Sequence, residues 1–389
     1  MLLSDIADVR SVFGPEARIT VPTLNERNLR RYLTEGPRLR IAPIPSIYFG
    51  AIRRLVADHD LVMLVEGSSY MDTWSSALLW AFLWATRCAH DAGKPCLAYA
   101  VDAGEMRSSL NRRLVRSEAS KTDLIIARSA AAAERLRSWG VSAPMEVTAD
   151  NAFTFTPDRA DEELLPRVWP GEDSGMVGIA PVDFYLWPVV FRPWGRRRDC
   201  YRWPYYFSRS AERCRLSDEL ATGYARLADR VAGELGRRVA FIAMEQLDEP
   251  LCQASRERMV RPDRARVFSS REFHASQLTV LLRSLAALAT SRFHACVLSL
   301  AAAVPQVALG HDLRLATIYH DLGLDDWFIR PDEAAMFDRL RDGLAGLLAD
   351  PEKQRPLLRR GFADHLARAR RNRELLAGFA RARGFPTSV

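Results

Sequence analysis

"ATSRFHACVLSLAAAVPQVALG", residues 289–310, is almost wholly apolar, yet it carries Arg292 and His294 near its start. The stretch reads as the end of a buried strand "LAALAT", a turn, a helix from about Ala295 ("ACVLSLAAA") and a second strand "PQVALG". Arg292 and His294 then occupy the turn between strand end and helix start. In open α/β sheets ligands bind outside the carboxyl ends of the strands. The first N–H groups of a helix and its positive dipole end favour an anion there, and arginine adds a planar fork suited to phosphate or carboxylate. An isolated Arg-x-His in such a turn is equally well explained by a salt bridge and a satisfied histidine, so its surroundings have to decide.

Working outward, strand-like runs alternate with helical ones. "LRIAPIPS" (39–46), "DLVMLVEGS" (60–68), "PCLAYAVD" (95–102), "DLIIARS" (123–129) and "MEVTAD" (145–150) read as strands. Helices are expected over about 73–91, 107–118 and the run "AAAERLRSWG", and the chain opens on a helix, "MLLSDIADVRSVF". Acidic, proline-containing residues 159–174 read as a linker. The pattern restarts with "GMVGIAPV" (175–182), a helix over 217–235, "RRVAFIAME" (237–245), "ARVFSS" and a helix around 275–284. Continuous apolar strands separated by helices predict parallel sheets covered on both faces. The expected fold is α/β, with a Rossmann-like domain over 1–158, a second over 175–330, a cleft between them, and closing helices over 331–389. Residues 185–215, rich in tryptophan, tyrosine and arginine with little periodicity, read as an irregular insertion of the second domain at the cleft mouth.

Bulk properties agree with a globular protein: 48% of residues are hydrophobic and 26% charged. A chain of 389 residues exceeds one ordinary core. The six cysteines are scattered without metal-ligand spacing, which predicts free thiols in a reducing compartment. The most apolar run, Ala77–Ala85, is far short of the roughly 20 residues of a spanning helix. No secretory leader is read, because Met1 is followed at once by a mixed segment. The net charge of +7 is almost all arginine and favours anionic partners. No nucleic-acid motif accompanies it.

In order along the chain, "VEGSSYMDTW" (65–74), "GKPCLAYAVDAGEM" (93–106), "LIIARSAAAAERLRSWGV" (124–141), "EVTADNAF" (146–153), "SRFHACVLSLAAAVPQVALGHDLR" (291–314) and "LGL" (322–324) resemble the polysaccharide pyruvyl transferase family. The most specific element is Arg-x-His-Ala followed by a small-residue helix, Val-Pro and Asp-x-Arg. The resemblance covers roughly Met1 to Arg330. It implies an architecture similar to the two-domain glycosyltransferase-B fold. It also implies transfer of a pyruvyl group from phosphoenolpyruvate to a sugar, as a cyclic ketal across two hydroxyls, in exopolysaccharide or glycolipid synthesis at the cell envelope. Carried over by position, Arg292 binds the donor phosphate, with Phe293 beside it, and His294 lies next to the reacting enol. Arg128 supplies a second cation from the first domain. The family opens with a strand and an Asn-x-Gly-Asp turn, whereas this chain begins at the helix that follows. A strand ending in a glycine-containing turn is therefore expected upstream of Met1. The glycine turns are also reduced, to Gly67-Ser68-Ser69 and to Val101-Asp102-Ala103-Gly104-Glu105.

Phosphoenolpyruvate carries a phosphate and a carboxylate, so its site needs convergent cations in a dry cleft. A histidine titrating near neutrality can give or take a proton during ketal formation, which makes His294 the candidate general acid or base. Neither a metal nor a resident cofactor is expected. Asp72 and Asp150, at strand-end turns, are candidates to orient an acceptor hydroxyl or an arginine, though Asp72 equally suits a cap on a helix at Thr73. Asp312 and Arg314 follow the next strand and are further candidates, whereas His274 and His311 read as surface residues. The aromatic and arginine-rich insertion suits either a sugar ring with a lipid-linked diphosphate or a plain surface loop. The basic last helix is expected to pack back on the domains, its alternative being an anionic membrane. The expected setting is the cytoplasm, with peripheral contact at the inner face of the membrane. Two rivals share these features: a sugar-nucleotide-dependent glycosyltransferase and a non-catalytic glycan-binding relative. For the first, the Glu-x7-Glu spacing of Glu249 and Glu257 lies away from the Arg–His turn and reads as accidental.

Overall fold

The apolar runs become the strands of separate parallel sheets. The computed structural model describes residues 1–65, 67–171, 175–310 and 312–388. The chain divides into two compact units: Met1–Phe155 with Trp187–Ser208 and His365–Val389, and Thr156–Leu186 with Arg209–Asp364. The candidate His311 lies outside the described residues.

In the first unit, among the described residues, β1 (Ile19–Thr23) pairs only with β2 (Leu39–Pro43). The main sheet has β3 (Val62–Leu64), β4 (Cys96–Val101), β5 (Leu124–Ala127) and β6 (Met145–Val147) in sequential, parallel order. Every residue of β4 is buried, as a strand covered on both faces must be. Alternate side chains serve opposite faces. Ala98, Val101 and Ile125 pack with Leu79, Leu83, Val115 and Leu136 of the following helices. Leu97, Tyr99 and Ile126 pack with Val12 of the opening helix Leu2–Phe13 and with Leu376 and Phe379 near the end of the chain. The last helix, Arg355–Ala382, thus covers a sheet face, as expected.

The strand β7 (Val177–Ala180) belongs to the second unit, and the next three belong to the first. These are β8 (Val189–Phe191), β9 (Cys200–Arg202) and β10 (Tyr205–Phe207), an antiparallel sheet in the order β8-β10-β9. Two expectations are corrected here. Residues 185–215 contain a small sheet rather than wholly irregular chain, and its strands group with the first unit. Arg202 donates to Leu24 O and to Ile44 O at 3.2 Å, and Tyr205 Oη donates to Ser46 O at 3.2 Å, which fastens the sheet to that body. Three-residue strands with aromatics on both faces leave no alternation to read.

The second unit continues with β11 (Val239–Ala243), β12 (Ala265–Ser269), β13 (Ala287–Thr290), β14 (Gln306–Leu309) and β15 (Phe328–Ile329). Its order is β12-β11-β7-β13-β14-β15, all parallel. Numbered from β7, this is the doubly wound 3-2-1-4-5-6 arrangement, whose strand order reverses between β7 and β13. Val177, Ile179, Phe241 and Ala289 pack on Leu220, Tyr224 and Leu227 of the helix Ala211–Gly233 and on Leu344 of the helix Met336–Ala349. Ala180, Ile242 and Leu288 pack on Leu278, Leu281 and Leu282 across the other face.

Gly223 lets the helices Ala211–Gly233 and Met336–Ala349 approach closely, because a Cβ there would lie 2.0 Å from Phe337 Cε2. The Phe337 ring is held edge-on to Tyr224, with centroids 5.2 Å apart. Gly223→Ala should therefore lower the unfolding free energy by about 1–3 kcal/mol through overpacking. Adding Phe337→Leu should recover part of the loss in urea denaturation.

Candidate functional site

The reversal point of the second sheet brings together the strand ends that carry charge. Ser291 N donates to Ala180 O at 2.8 Å, tying the residue after β13 to the end of β7. Thr290 Oγ1 accepts from Arg292 N at 2.9 Å and donates to Arg292 O at 3.0 Å, fixing the turn. The helix begins at Phe293, two residues before the expected position, so Arg292 is its N-cap and His294 lies in its first turn. Both His294 and Phe293 are half-buried, with ring centroids 5.3 Å apart and edge to face.

Arg292 does not point into solvent as a loose cation. Its Nε donates to Asp248 Oδ2 at 2.8 Å, its second terminal nitrogen donates to Asp248 Oδ1, and its first faces Glu245 Oε1 at 3.0 Å. Glu245 and Asp248 both follow β11, the strand beside β7. Asp248 Oδ2 also accepts from Glu245 N at 3.0 Å, which fixes the carboxylate. Burial raises the Asp248 carboxyl to about 6, against the lowering pull of Arg292. Burial alone would lower the Arg292 guanidinium, but Asp248 and Glu245 hold it above its ordinary value. A guanidinium has five N–H groups, and these contacts use three of them. Glu245 is 57% exposed and Asp248 1%, so one partner is replaceable and the other is built in.

Asp312 and Arg314, after β14, pair with each other. Arg314 Nε donates to Asp312 Oδ2 at 2.8 Å, while Asp312 accepts from Arg314 N at 2.7 Å as the N-cap of the helix Leu313–Asp321. Asp312 also contributes to the field on Arg292, which places the pair in the same neighbourhood. His274 is half-exposed and lies 3.8 Å from Asp161.

In the first unit Arg128 follows β5, between Asp102 after β4 and Asp150 after β6. Its Nε donates to Asp102 Oδ2 at 2.7 Å and a terminal nitrogen to Asp150 Oδ2 at 2.5 Å. The Arg128 side chain is 2% exposed. Burial would lower this guanidinium, yet the two carboxylates hold it above its ordinary value. The register of β4 shifts between Ala98 and Val101, with Ala100 at φ 51°. Such a bulge re-aims the strand end, and Asp102 is the residue it delivers. A Cβ on Gly67 would lie 2.4 Å from an Arg128 nitrogen, so only glycine fits at that position.

Arg128, expected as a second cation, is paired within a triad whose carboxylates outnumber it. Asp150 does orient an arginine, and it accepts from Ala152 N at 2.7 Å as well. Asp72 caps a different helix from the one expected. It accepts from Arg107 N at 2.8 Å, Ser108 N at 3.0 Å and Asn111 Nδ2 at 2.9 Å, at the start of the helix Ser109–Ala119. Ser75 caps the helix Ser76–Asp91 instead. Asp102, Glu245 and Asp248 went unread in the sequence. Their signal was positional, since each stands just past the end of a buried strand.

Removing one partner of a buried ion pair strands the other. Asp248→Ala should cost about 3–5 kcal/mol of stability. Glu245→Ala, at an exposed pair, should cost at most about 1 kcal/mol. Denaturant unfolding of both variants checks the contrast.

Among curated proteins, none matches the sequence. Solved structures are similar over nearly the whole chain at low identity. HepE of Anabaena in complex with UDP superposes with a TM-score of 0.57 at 13% identity, covering 98% of this chain and 95% of that one. The UDP-GlcNAc 2-epimerase of Methanocaldococcus jannaschii gives 0.59 at 10% identity, covering 96% and 95%. A UDP co-structure of MnaA from S. aureus gives 0.56 at 10% identity, covering 95% and 98%. This likeness establishes a fold of the glycosyltransferase-B type and nothing about ligands. The family model of polysaccharide pyruvyl transferase, by contrast, matches residues 8–312, from the opening helix to the cap after β14. The chain belongs to the polysaccharide pyruvyl transferase family, and is a transferase.

Proposed function

We propose that this transferase moves the pyruvyl group of phosphoenolpyruvate onto two hydroxyls of one sugar residue, closing a cyclic ketal in polysaccharide or glycolipid synthesis. The observation that carries the reading is the Arg292–Phe293–His294 turn at the reversal point of a doubly wound sheet, within the family match. Asp248 holds the guanidinium in one orientation. Glu245, the exposed partner, is the one an incoming phosphate displaces.

The chemistry balances without a metal or a redox partner. The enol methylene takes a proton, leaving an oxocarbenium-like carbon to which the first sugar hydroxyl adds and loses its proton. Phosphate then leaves with the C–O bonding pair, and the second hydroxyl closes the ring as its proton departs. The products are the ketal and inorganic phosphate. His294 is the proposed general acid and base for these transfers. Arg292 stabilises the charge on the departing phosphate, with Phe293 as a donor-side wall. Asp312 and Arg314 are proposed to touch donor or acceptor. Asp150 and Asp72 act by positioning Arg128 and a helix start, respectively. No resident cofactor is invoked.

His294→Ala should lower kcat by about 10²–10⁴-fold, measured as phosphate release from phosphoenolpyruvate with a panel of sugar acceptors. Full turnover in that variant would exclude the assignment. Glu245→Gln should lower the KM for phosphoenolpyruvate several-fold, because it removes the competing carboxylate from Arg292. A second reading, a sugar-nucleotide-dependent transferase, draws on the UDP bound to similar structures. Thermal shift decides between them: stabilisation by phosphoenolpyruvate supports the pyruvyl reading, and stabilisation by UDP or UDP-sugars alone supports the second.

A further inference from the structure

The sheet β8-β10-β9 carries a surface that the transfer chemistry does not use. From Trp187 to Ser208 there are eight aromatic residues and five arginines against a single acid, Asp199. One part of this aromatic set is structural. Tyr206 is buried beneath Gly195, whose Cβ position lies 2.6 Å from the tyrosine ring, and Arg192 stacks on that ring at 4.9 Å. The other part points outward. Trp194 is 75% exposed, Phe191 66% and Trp203 60%. Trp203 Nε1 donates to Pro193 O at 3.3 Å, which sets the β9–β10 turn against the loop that bears Trp194. All of Pro193–Arg198 is exposed, so Arg196, Arg197 and Arg198 follow directly on the tryptophan. Arg196 is anchored at 2.8 Å to the buried Asp199, which steadies the base of the loop.

Large aromatics left this open to water are uncommon on a protein surface unless something covers them. The composition selects the occupant. Tryptophan partitions to the headgroup level of a bilayer, where its apolar ring and N–H are both satisfied. Arginine lays its stem along apolar surface and keeps its charge at the phosphates, and a basic cluster draws anionic lipid. The last helix offers no such face, since Leu358, Leu376 and Phe379 are buried. No helix among the described residues is long and apolar enough to cross a membrane.

We infer that the loop 191–198 and the β9–β10 turn form an interfacial anchor that seats the first unit on an anionic bilayer, with Trp194 and Trp203 inserted at headgroup depth and the arginines on the lipid phosphates. This goes beyond the transfer reaction and stands or falls apart from it. The test is co-sedimentation of the full chain with phosphatidylcholine vesicles, with and without phosphatidylglycerol, together with tryptophan emission. Binding that requires phosphatidylglycerol, weakens with salt and shifts the emission to the blue is expected. Trp194→Ala with Trp203→Ala should reduce binding at least about ten-fold, while Arg197→Gln with Arg198→Gln should cost about five-fold per arginine. Arg196 is left in place so that Asp199 keeps its nearest cation, and an unchanged urea-denaturation midpoint reports intact folding. Equal binding to neutral vesicles, no binding, or binding indifferent to the tryptophans would overturn the inference. So would a wild-type dimer that the tryptophan variant renders monomeric, or an emission shift produced by soluble oligosaccharide but not by vesicles.

Discussion

Arg292 reaches from the end of β13 to Asp248 beyond β11, and this buried fork ties together the carboxyl edge of the six-stranded sheet. A guanidinium so enclosed needs a carboxylate of fixed geometry, and the carboxylate needs the guanidinium, because either alone would be a stranded charge. The same solution recurs in the first unit, where Arg128 is held by Asp102 and Asp150. In both sheets arginine ends a buried strand and acids from neighbouring strands close on it. The difference lies in exposure. The Arg128 triad is sealed, whereas Arg292 has one partner in the solvent, and the proposed exchange of a carboxylate for a substrate anion rests on that asymmetry.

The strands were legible because burial on both faces writes them as unbroken apolar runs, and "CLAYAV" and "VAFIA" needed no further signal. The Arg–His turn was legible for the same reason, two polar residues being conspicuous beside "LAAL". Side-chain partnership was not. Arg292 and Asp248 are separated by 44 residues, and nothing local marks Asp248 as the partner. Arg128 was expected as a second cation from its position in the family resemblance, while its acids arrive from other strands. Asp72 illustrates the opposite hazard: a helix starts nearby in sequence, but the carboxylate serves one whose first residue is Ser109. Short elements escaped as well. The strand Ile19–Thr23 contains a proline and, among the described residues, pairs with one neighbour only, and the three-residue strands β8 to β10 are too brief for a period to show.

Family membership and fold speak to different parts of the function. The likeness to UDP-binding structures extends along nearly the full chain, yet it resides in backbone course alone. The family match ends at Asp312, so it takes in the Arg–His turn and stops short of the last helix. Family membership is thus carried by sequence that includes this turn, while the scaffold by itself admits more than one chemistry.

The last 25 residues grouped with the first unit bear on how the molecule is made. Leu376 and Phe379 complete a face of the β4–β5 sheet, and Asn372 receives a hydrogen bond from Thr148 across 224 residues of chain. A ribosome delivering this polypeptide releases the strands of the first unit well before the part of their cover that Leu376 and Phe379 supply. Until then the face of Leu97, Tyr99 and Ile126 has the opening helix against it through Val12 but lacks Leu376 and Phe379, while the six strands of the second unit have all been released. Closing so long a loop is slow, and a nascent sheet with one side partly bare invites association with others. The unit whose strands leave the ribosome first is completed only once residues from His365 onward have followed.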